Sequence, residues 1–304
     1  MSGSHAHGNG VTSNKMWVAT AITFTFCLIE ALIGYKSNSL ALMADAGHNF
    51  ADALALALSA FALWIATKRA DNKRTFGYHR VGILAALVNA VGLVVMSVVI
   101  FWEAVQRLQA PEAVDSGSMI WVASLAIIIN SGIAWWLLAA AKEDLNIRSA
   151  YLHMVGDAAA SLAVVIAGII IALTSWYVAD PIVSIIFAFL VLWSSWSILT
   201  ESIQMLLEGT PVGMDLVIVK KKISEVEGVL NVHDLHVWAV SSGLTACDCH
   251  ILIAEQNVSK GQKIQQNVTH MLEHDYNINH STIQIEVEDC GDHDHMAKSH
   301  HDHA

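Results

Sequence analysis

Charge is scarce in this chain. Of its 304 residues only 14% are Asp, Glu, Lys or Arg, against 55% hydrophobic, and mean hydropathy is +0.50. Soluble domains carry about a quarter charged residues, so most of the chain is not built to face water. Cysteine is also sparse: Cys27 falls in an apolar run, and Cys247, Cys249 and Cys290 fall in the more polar C-terminal part. They read as thiols in a compartment where disulfides are rare. The H-E-x-x-H pattern of a metalloprotease does not occur. The N-terminus has no basic segment leading into a short apolar stretch and cleavage site, so the first apolar run is expected to stay as a helix. The net charge is −11, and no nucleic-acid partner is expected.

What the chain has instead is long apolar runs. Spanning hydrocarbon takes roughly 20 apolar residues, and six segments qualify, near 16–36, 40–67, 81–106, 118–141, 149–174 and 181–206. Lys15, Lys68, Arg69, Lys73, Arg74, Arg80, Lys142 and Arg148 would share one side of the membrane, leaving Lys36 and Arg107 on the other. Eight against two puts both termini in the cytoplasm. The Gly209-Thr210-Pro211 cluster ends the apolar pattern. Up to residue 208 there are 13 acidic and 10 basic residues; beyond it, 14 and 6. The expected order is an unstructured, His-containing 1–14, a six-helix membrane bundle over 15–208, a cytoplasmic domain over 209–288 and a His-rich unstructured tail, 289–304. In the cytoplasmic part, 215–227 and 258–276 read as helices and 232–240, 244–254 and 281–287 as strands. This α-β-β-α-β order suits an α+β domain with helices on one side of a sheet.

The chemistry sits in a repeat. His48 and Asp52 in one apolar run, and His153 and Asp157 in another, share the spacing H-x-x-x-D. Residues i and i+4 occupy one face of a helix, and ionisable groups at membrane depth are functional candidates by default. Two such helices facing each other offer two imidazoles and two carboxylates, a set that suits a four-coordinate divalent metal, zinc first. The bland alternative is hydrogen-bonded glue between helices, which duplicated spacing makes the weaker reading. Asp45 is a candidate outer carboxylate orienting an imidazole, or else a solvated helix-end charge. Glu30 and Glu103, with no repeated partner, read as pathway or interface residues. A ligating His must be neutral, so binding metal competes with protons. A site alternating between the two membrane faces would exchange one for the other.

The strings SNSLALMADAGHNFADALALALSAFALWIA, RTFGYHRVGILAALVNA, IRSAYLHMVGDAAASLAVVIAGIII and VHDLHVWAV resemble the cation diffusion facilitator family, in its zinc-transporter branch, over residues 16 to 288. The resemblance implies a homodimer of six-helix subunits with a ferredoxin- or metallochaperone-like cytoplasmic domain. It also implies a zinc/proton antiporter rather than an enzyme, with Zn2+ as substrate and regulatory ligand and no prosthetic group. In a bacterium it would sit in the cell (inner) membrane. His48, Asp52, His153 and Asp157 match the family's transport site. His233, His250 and Glu286 match its cytoplasmic ligands, with His236 a neighbour, although Glu286 and Glu288 stand where a His and an Asp are better known. Tyr78 occupies a ligand position of the family's loop site, beside His79. Arg80 and Glu208 match a charge pair that links the two parts of the subunit.

The remaining clusters have bland readings beside the functional ones. Cys247 and Cys249 share one strand face, opposite His250, and read as small buried hydrophobes before a metal pair. His270 and His274 are spaced i, i+4 and read as a solvated face. The tail histidines His293, His295, His300, His301 and His303 suit loose metal capture or mere solubility. Two rival classes use the same residues: an intramembrane metalloenzyme and a membrane metal sensor. The first needs an open metal position that four filled ligands do not leave. The second does not account for the intramembrane quartet.

Overall fold

The computed structural model describes residues 9–138, 145–241 and 243–288. Six long helices come first: α1 (Asn9–Ser37), α2 (Leu40–Ala66), α3 (Val81–Gln109), α4 (Ser116–Leu137), α5 (Leu145–Thr174) and α6 (Ala179–Leu206). Among the described residues five of them, α2 to α6, are long and apolar enough to cross a membrane. At the start of the chain α1 begins at Asn9, ahead of the first apolar run. Once a helix is nucleated each added residue gains a hydrogen bond cheaply, so the apolar run carries its N-terminal flank with it. His5, His7, Lys142, Cys290 and the tail histidines lie outside the described residues.

The helices carry large apolar side chains on their outer surface, among them Trp135, Leu173, Trp193 and Val88, all well over half exposed. Such a surface suits lipid, where the helix satisfies its own backbone. The turns between helices are polar. Asn38 takes a left-handed φ of 58° between α1 and α2, and Asp115 caps α4 by accepting from the Gly117 and Ser118 amides. Asp180, buried at the start of α6, accepts from Ser39 Oγ at 2.6 Å and from the Leu40 and Ala41 amides. It thereby satisfies the open N–H groups at the start of α2. The bundle core is Phe26, Leu42, Met119, Val164, Ile171 and their small neighbours.

The C-terminal elements are α7 (Leu216–Ser224), β1 (Val229–Ser241), β2 (Leu244–Ile253), α8 (Val258–Tyr276) and β3 (Ile278–Glu286), the order read from the sequence. The sheet order is β1-β2-β3, β1 antiparallel and β3 parallel to the central β2. Parallel pairing needs a crossover, which α8 supplies. Val219 and Ile223 of α7 and Val268 and Leu272 of α8 pack with Val232, Cys247, Cys249, Ile251 and Ile283 on one face of the sheet. By the period of two, the other face carries His233, His250 and Glu286.

The chain divides into two compact units: one holds the chain up to Ala60 with Val88–Leu199, the other Phe61–Leu87 with the chain from Thr200. The loop after α2 therefore belongs with the C-terminal elements. Within that second unit Arg80 pairs with Glu208 at 2.7 Å, and the Phe76 ring meets His280 edge to face at 5.5 Å.

Candidate metal centres

The first cluster lies between α2 and α5. His48 and Asp52 are one turn apart on α2, His153 and Asp157 one turn apart on α5, and the two pairs converge. Asp52 Oδ2 lies 3.5 Å from His48 Nε2 and 3.3 Å from His153 Nε2, and Asp157 Oδ2 lies 3.5 Å from His153 Nε2. The imidazole centroids are 6.1 Å apart and nearly perpendicular. The buried Oδ2 atoms of Asp52 and Asp157 have no hydrogen-bond donor. Buried polar groups in native proteins are almost always paired. Lone pairs that converge without bonding each other are what a shared cation would satisfy. The cluster is closed on one side and open on the other, Asp157 being 6% exposed and His153 41%.

Asp45 does not orient His48. The buried His48 Nδ1 has no partner, whereas Asp45, itself buried, accepts from Ser161 Oγ of α5 at 3.2 Å. The solvated helix-end reading also fails, because Asp45 is buried. Glu103 pairs with Arg107 at 3.1 Å, one turn away on α3, and Arg107 also donates to the Asn38 carbonyl.

The second cluster lies on the free face of the sheet. His233 and His250 are directly opposed in the β1–β2 ladder, and Glu286 enters from β3, paired with Leu252 one same-face step from His250. Their ligand atoms all lie within 4.8 Å of one another. Glu286 reaches both rings, Oε2 to His233 Nε2 at 3.1 Å and Oε1 to His250 Nδ1 at 3.0 Å. The first contact is close but not aligned as a hydrogen bond, since Glu286 Oε2 and His233 Nδ1 remain without partners. Gln284 donates to Glu286 Oε1 at 2.8 Å and steadies the carboxylate.

Sequence reasoning missed Asp234. It sits in a β-bulge between His233 and His236 with φ +50°, and a bulge re-aims the residues beside it. Its carboxylate lies 3.0 Å from His236 Nε2 and 3.8 Å from His250 Nε2. His236 therefore pairs with Asp234 and stands outside the trio. The VHDLHV string held no signal for this, because alternation alone puts Asp234 on the other face.

The other candidates resolve locally. Cys247 and Cys249 are fully buried in the sheet–helix core; hydrogen bonding to Cys247 and burial push the Cys249 thiol up, which suits small hydrophobes rather than metal ligands. Tyr78 accepts from Arg74 and donates to Asp71 at 3.2 Å, and the Lys73 and Arg74 amides hold the Asp71 carboxyl below the usual carboxylate range. A hydrogen-bonded turn thus occupies the loop-site position. The His270 and His274 rings stack on the exposed face of α8, His274 bonding Asp275.

Long apolar helices carrying a convergent polar quartet, followed by a small α+β domain, define a polytopic membrane protein with cation-binding chemistry. The chain matches the cation efflux transmembrane domain over residues 16–207 and the cation efflux protein cytoplasmic domain over 211–288, and it belongs to the cation efflux family of transporters. It is 37% identical over 287 residues, 93% of this chain and 92% of the relative, to a Bacillus subtilis (strain 168) protein named cadmium, cobalt and zinc/H(+)-K(+) antiporter. It is 36% identical to the zinc transporter ZitB of Escherichia coli (strain K12), covering 95% of this chain and 94% of that one. The metal cation efflux system protein CzcD of Cupriavidus metallidurans is also 36% identical, over 95% of this chain and 92% of the relative. The chain is thus an integral membrane transporter and not an enzyme.

Proposed function

We propose that this protein exports Zn2+ from the cytoplasm in exchange for protons, by alternating access of a site made of His48, Asp52, His153 and Asp157. The observation that carries the reading is the convergence of the α2 and α5 pairs, with Asp52 Oδ2 between two imidazoles. Two nitrogens and two carboxylates fill a tetrahedral zinc shell at bond lengths of about 2.0–2.2 Å, and the observed spacings close to such bonds by small side-chain movements. The proton exchange follows from the ligands. An imidazole ordinarily titrates near pH ~6.5, so zinc binding weakens as the medium is acidified and is released toward an acidic compartment. The similarity to a named zinc transporter and to a zinc/proton antiporter supports both ion choices.

The rest of the reading follows. Residues 15–208 form the transport unit and 209–288 a cytoplasmic unit, both termini face the cytoplasm, and the protein works as a homodimer, in the inner membrane if bacterial. His233, His250 and Glu286 form a regulatory zinc site off the ion path, and Arg80–Glu208 acts as a tether. The regulatory trio keeps a sensor function in view as an addition to transport, since an imidazole-carboxylate cluster on a folded domain responds to metal without moving it.

The test is flux through purified protein in proteoliposomes. An imposed pH gradient, acidic inside, should drive zinc into the vesicles and consume the gradient. Zinc that moves equally with the gradient collapsed overturns the antiport, and zinc that does not move at all overturns the transport reading.

A further inference from the structure

Behind the quartet is a second buried polar cluster, made only of oxygen and amide groups. Glu30 of α1 is fully buried, and Asp45 and Asn49 of α2 and Ser161 of α5 are 5% exposed or less. The Cys27–Ala46 and Asn49–Glu30 contacts bring the Glu30 side chain to the stretch of α2 that carries Asp45. Asn49 Nδ2 reaches Glu30 Oε2 only at 3.5 Å, and Glu30 Oε1 is buried with no donor. Cys27, one turn before Glu30, donates to the Ala46 carbonyl at 2.9 Å and fixes α1 against α2 at this level. Among the described residues no Lys or Arg supplies a counter-charge. The titratable groups around Glu30 are Cys27 on its own helix, Asp45 and His48 on α2 and Asp157 on α5, and α4, which also packs on α1, contributes none.

Two ionised carboxylates in one buried pocket repel and each charge costs several kcal/mol to bury, so the pair takes up a proton unless a nearby cation offsets the charge. We infer that the Glu30–Asp45 pair is the binding site of a counter-transported proton, separate from the zinc ligands. This rests on the antiport reading above and adds to it a location for the proton. The pair is lined by hard oxygen donors without imidazole or thiolate, which suits a proton and not zinc.

Ser161 links the two sites. Its single hydroxyl proton can be given either to Asp45 Oδ2 at 3.2 Å or to the Asp157 carbonyl at 2.9 Å. With the pair deprotonated it donates to Asp45; with Asp45 protonated, Asp45 can donate to Ser161 and the hydroxyl turns to the carbonyl behind Asp157. A divalent ion at Asp157 adds positive charge beside the pair and favours release of its proton. Zinc and this proton thus exclude each other without competing for the same atoms, in addition to the competition at the imidazoles.

The experiment measures stoichiometry in the full-length protein, not rate. In proteoliposomes with the membrane potential clamped at zero, each coupled proton multiplies the equilibrium zinc accumulation about tenfold per pH unit of gradient, as 1.4 kcal/mol is tenfold. Glu30→Gln should lower that end-point ratio about tenfold at a one-unit gradient and lower the protons exchanged per zinc by one. Glu30→Asp should restore it. A merely structural role would slow the approach to the end point and leave the ratio unmoved. Asp45→Asn, which also dissolves the pair, should show the same loss and serves if Glu30→Gln does not fold. If neither folds, infrared difference spectra of the wild type decide: zinc should remove a protonated-carboxyl band, and its absence overturns the site. Wild-type stoichiometry in a folded variant overturns the inference while leaving antiport intact; a wild type with no gradient-driven accumulation removes both. An end point that follows a K+ gradient at equal pH, and loses that dependence in Glu30→Gln, would assign the pair to a hard monovalent cation and also overturn the proton.

Discussion

The two imidazole-carboxylate clusters set the same kinds of side chain on different scaffolds. Between α2 and α5 the contacts are 3.3–3.5 Å, and His48, Asp52 and His153 remain between 29% and 41% exposed. On the sheet the contacts are 3.0–3.1 Å, with His233 and Glu286 below 10% exposed. The first set is carried on two helices; the second is carried on three strands held by ladder hydrogen bonds. An ion that must be released on both sides of a membrane needs the first. A ligand that must report its concentration by occupying a site needs the second. The difference follows from scaffold, since helix packing is bistable under small shifts whereas register in a sheet is not.

The largest way to break this contrast is at Asp157. Asp157→Ala should lower zinc flux in proteoliposomes by more than the ~100-fold that loss of an outer-shell partner costs at most, with the protein still folded by size-exclusion profile. Flux within ~10-fold of wild type would take the quartet off the ion path.

Next in size is the sheet site. Replacing His233 with Ala and Glu286 with Gln should weaken the tighter zinc-binding phase of the full-length protein by about 10- to 100-fold, read by calorimetry, and shift activation to higher zinc. Flux at saturating zinc should largely persist. A loss matching Asp157→Ala would make both clusters obligatory and erase the distinction.

A smaller effect sharpens the comparison from the ion's side. His48→Asp replaces a nitrogen by an oxygen in the open cluster, and geometry rather than raw affinity usually decides selectivity among these metals. The cadmium-to-zinc flux ratio should rise about tenfold, roughly 1.4 kcal/mol of discrimination, while calorimetric zinc binding to the sheet site is unmoved. An unchanged ratio would place selectivity in helix packing.

The smallest effect separates scaffold from ligands. Asp215 caps α7, accepting from the Val217 amide at 2.8 Å. Asp215→Ala should cost about 1 kcal/mol of stability in a denaturant titration, with zinc affinity unchanged. In the same protein Cys247 and Cys249 should resist alkylation until unfolding, because only the thiolate reacts; rapid labelling of the folded protein would contradict their burial.

The quartet was legible because its signal is local. His48 and Asp52, and His153 and Asp157, each lie one helical turn apart, so spacing alone put each pair on one face, and burial in apolar runs marked them as costly. Helix positions were equally legible, since a run of about 20 apolar residues has one stable form in lipid. The trio was different. His233, His250 and Glu286 come from three strands, and only resemblance to a family brought them together in advance; alternation placed His250 opposite Cys247 and Cys249 but could not name its neighbours.

Long-range register decided the rest. That His233 opposes His250, that a bulge at Asp234 turns its carboxylate toward His236, that Asp45 serves Ser161 and not His48, and that Glu30 of one helix meets Asn49 of the next are set by packing between elements. A sequence determines which face of an element is apolar and where charge interrupts it, because those depend on a fixed backbone period. Which interrupted faces meet depends on how helices and strands settle their volumes and hydrogen bonds together, and only the tertiary structure decides that.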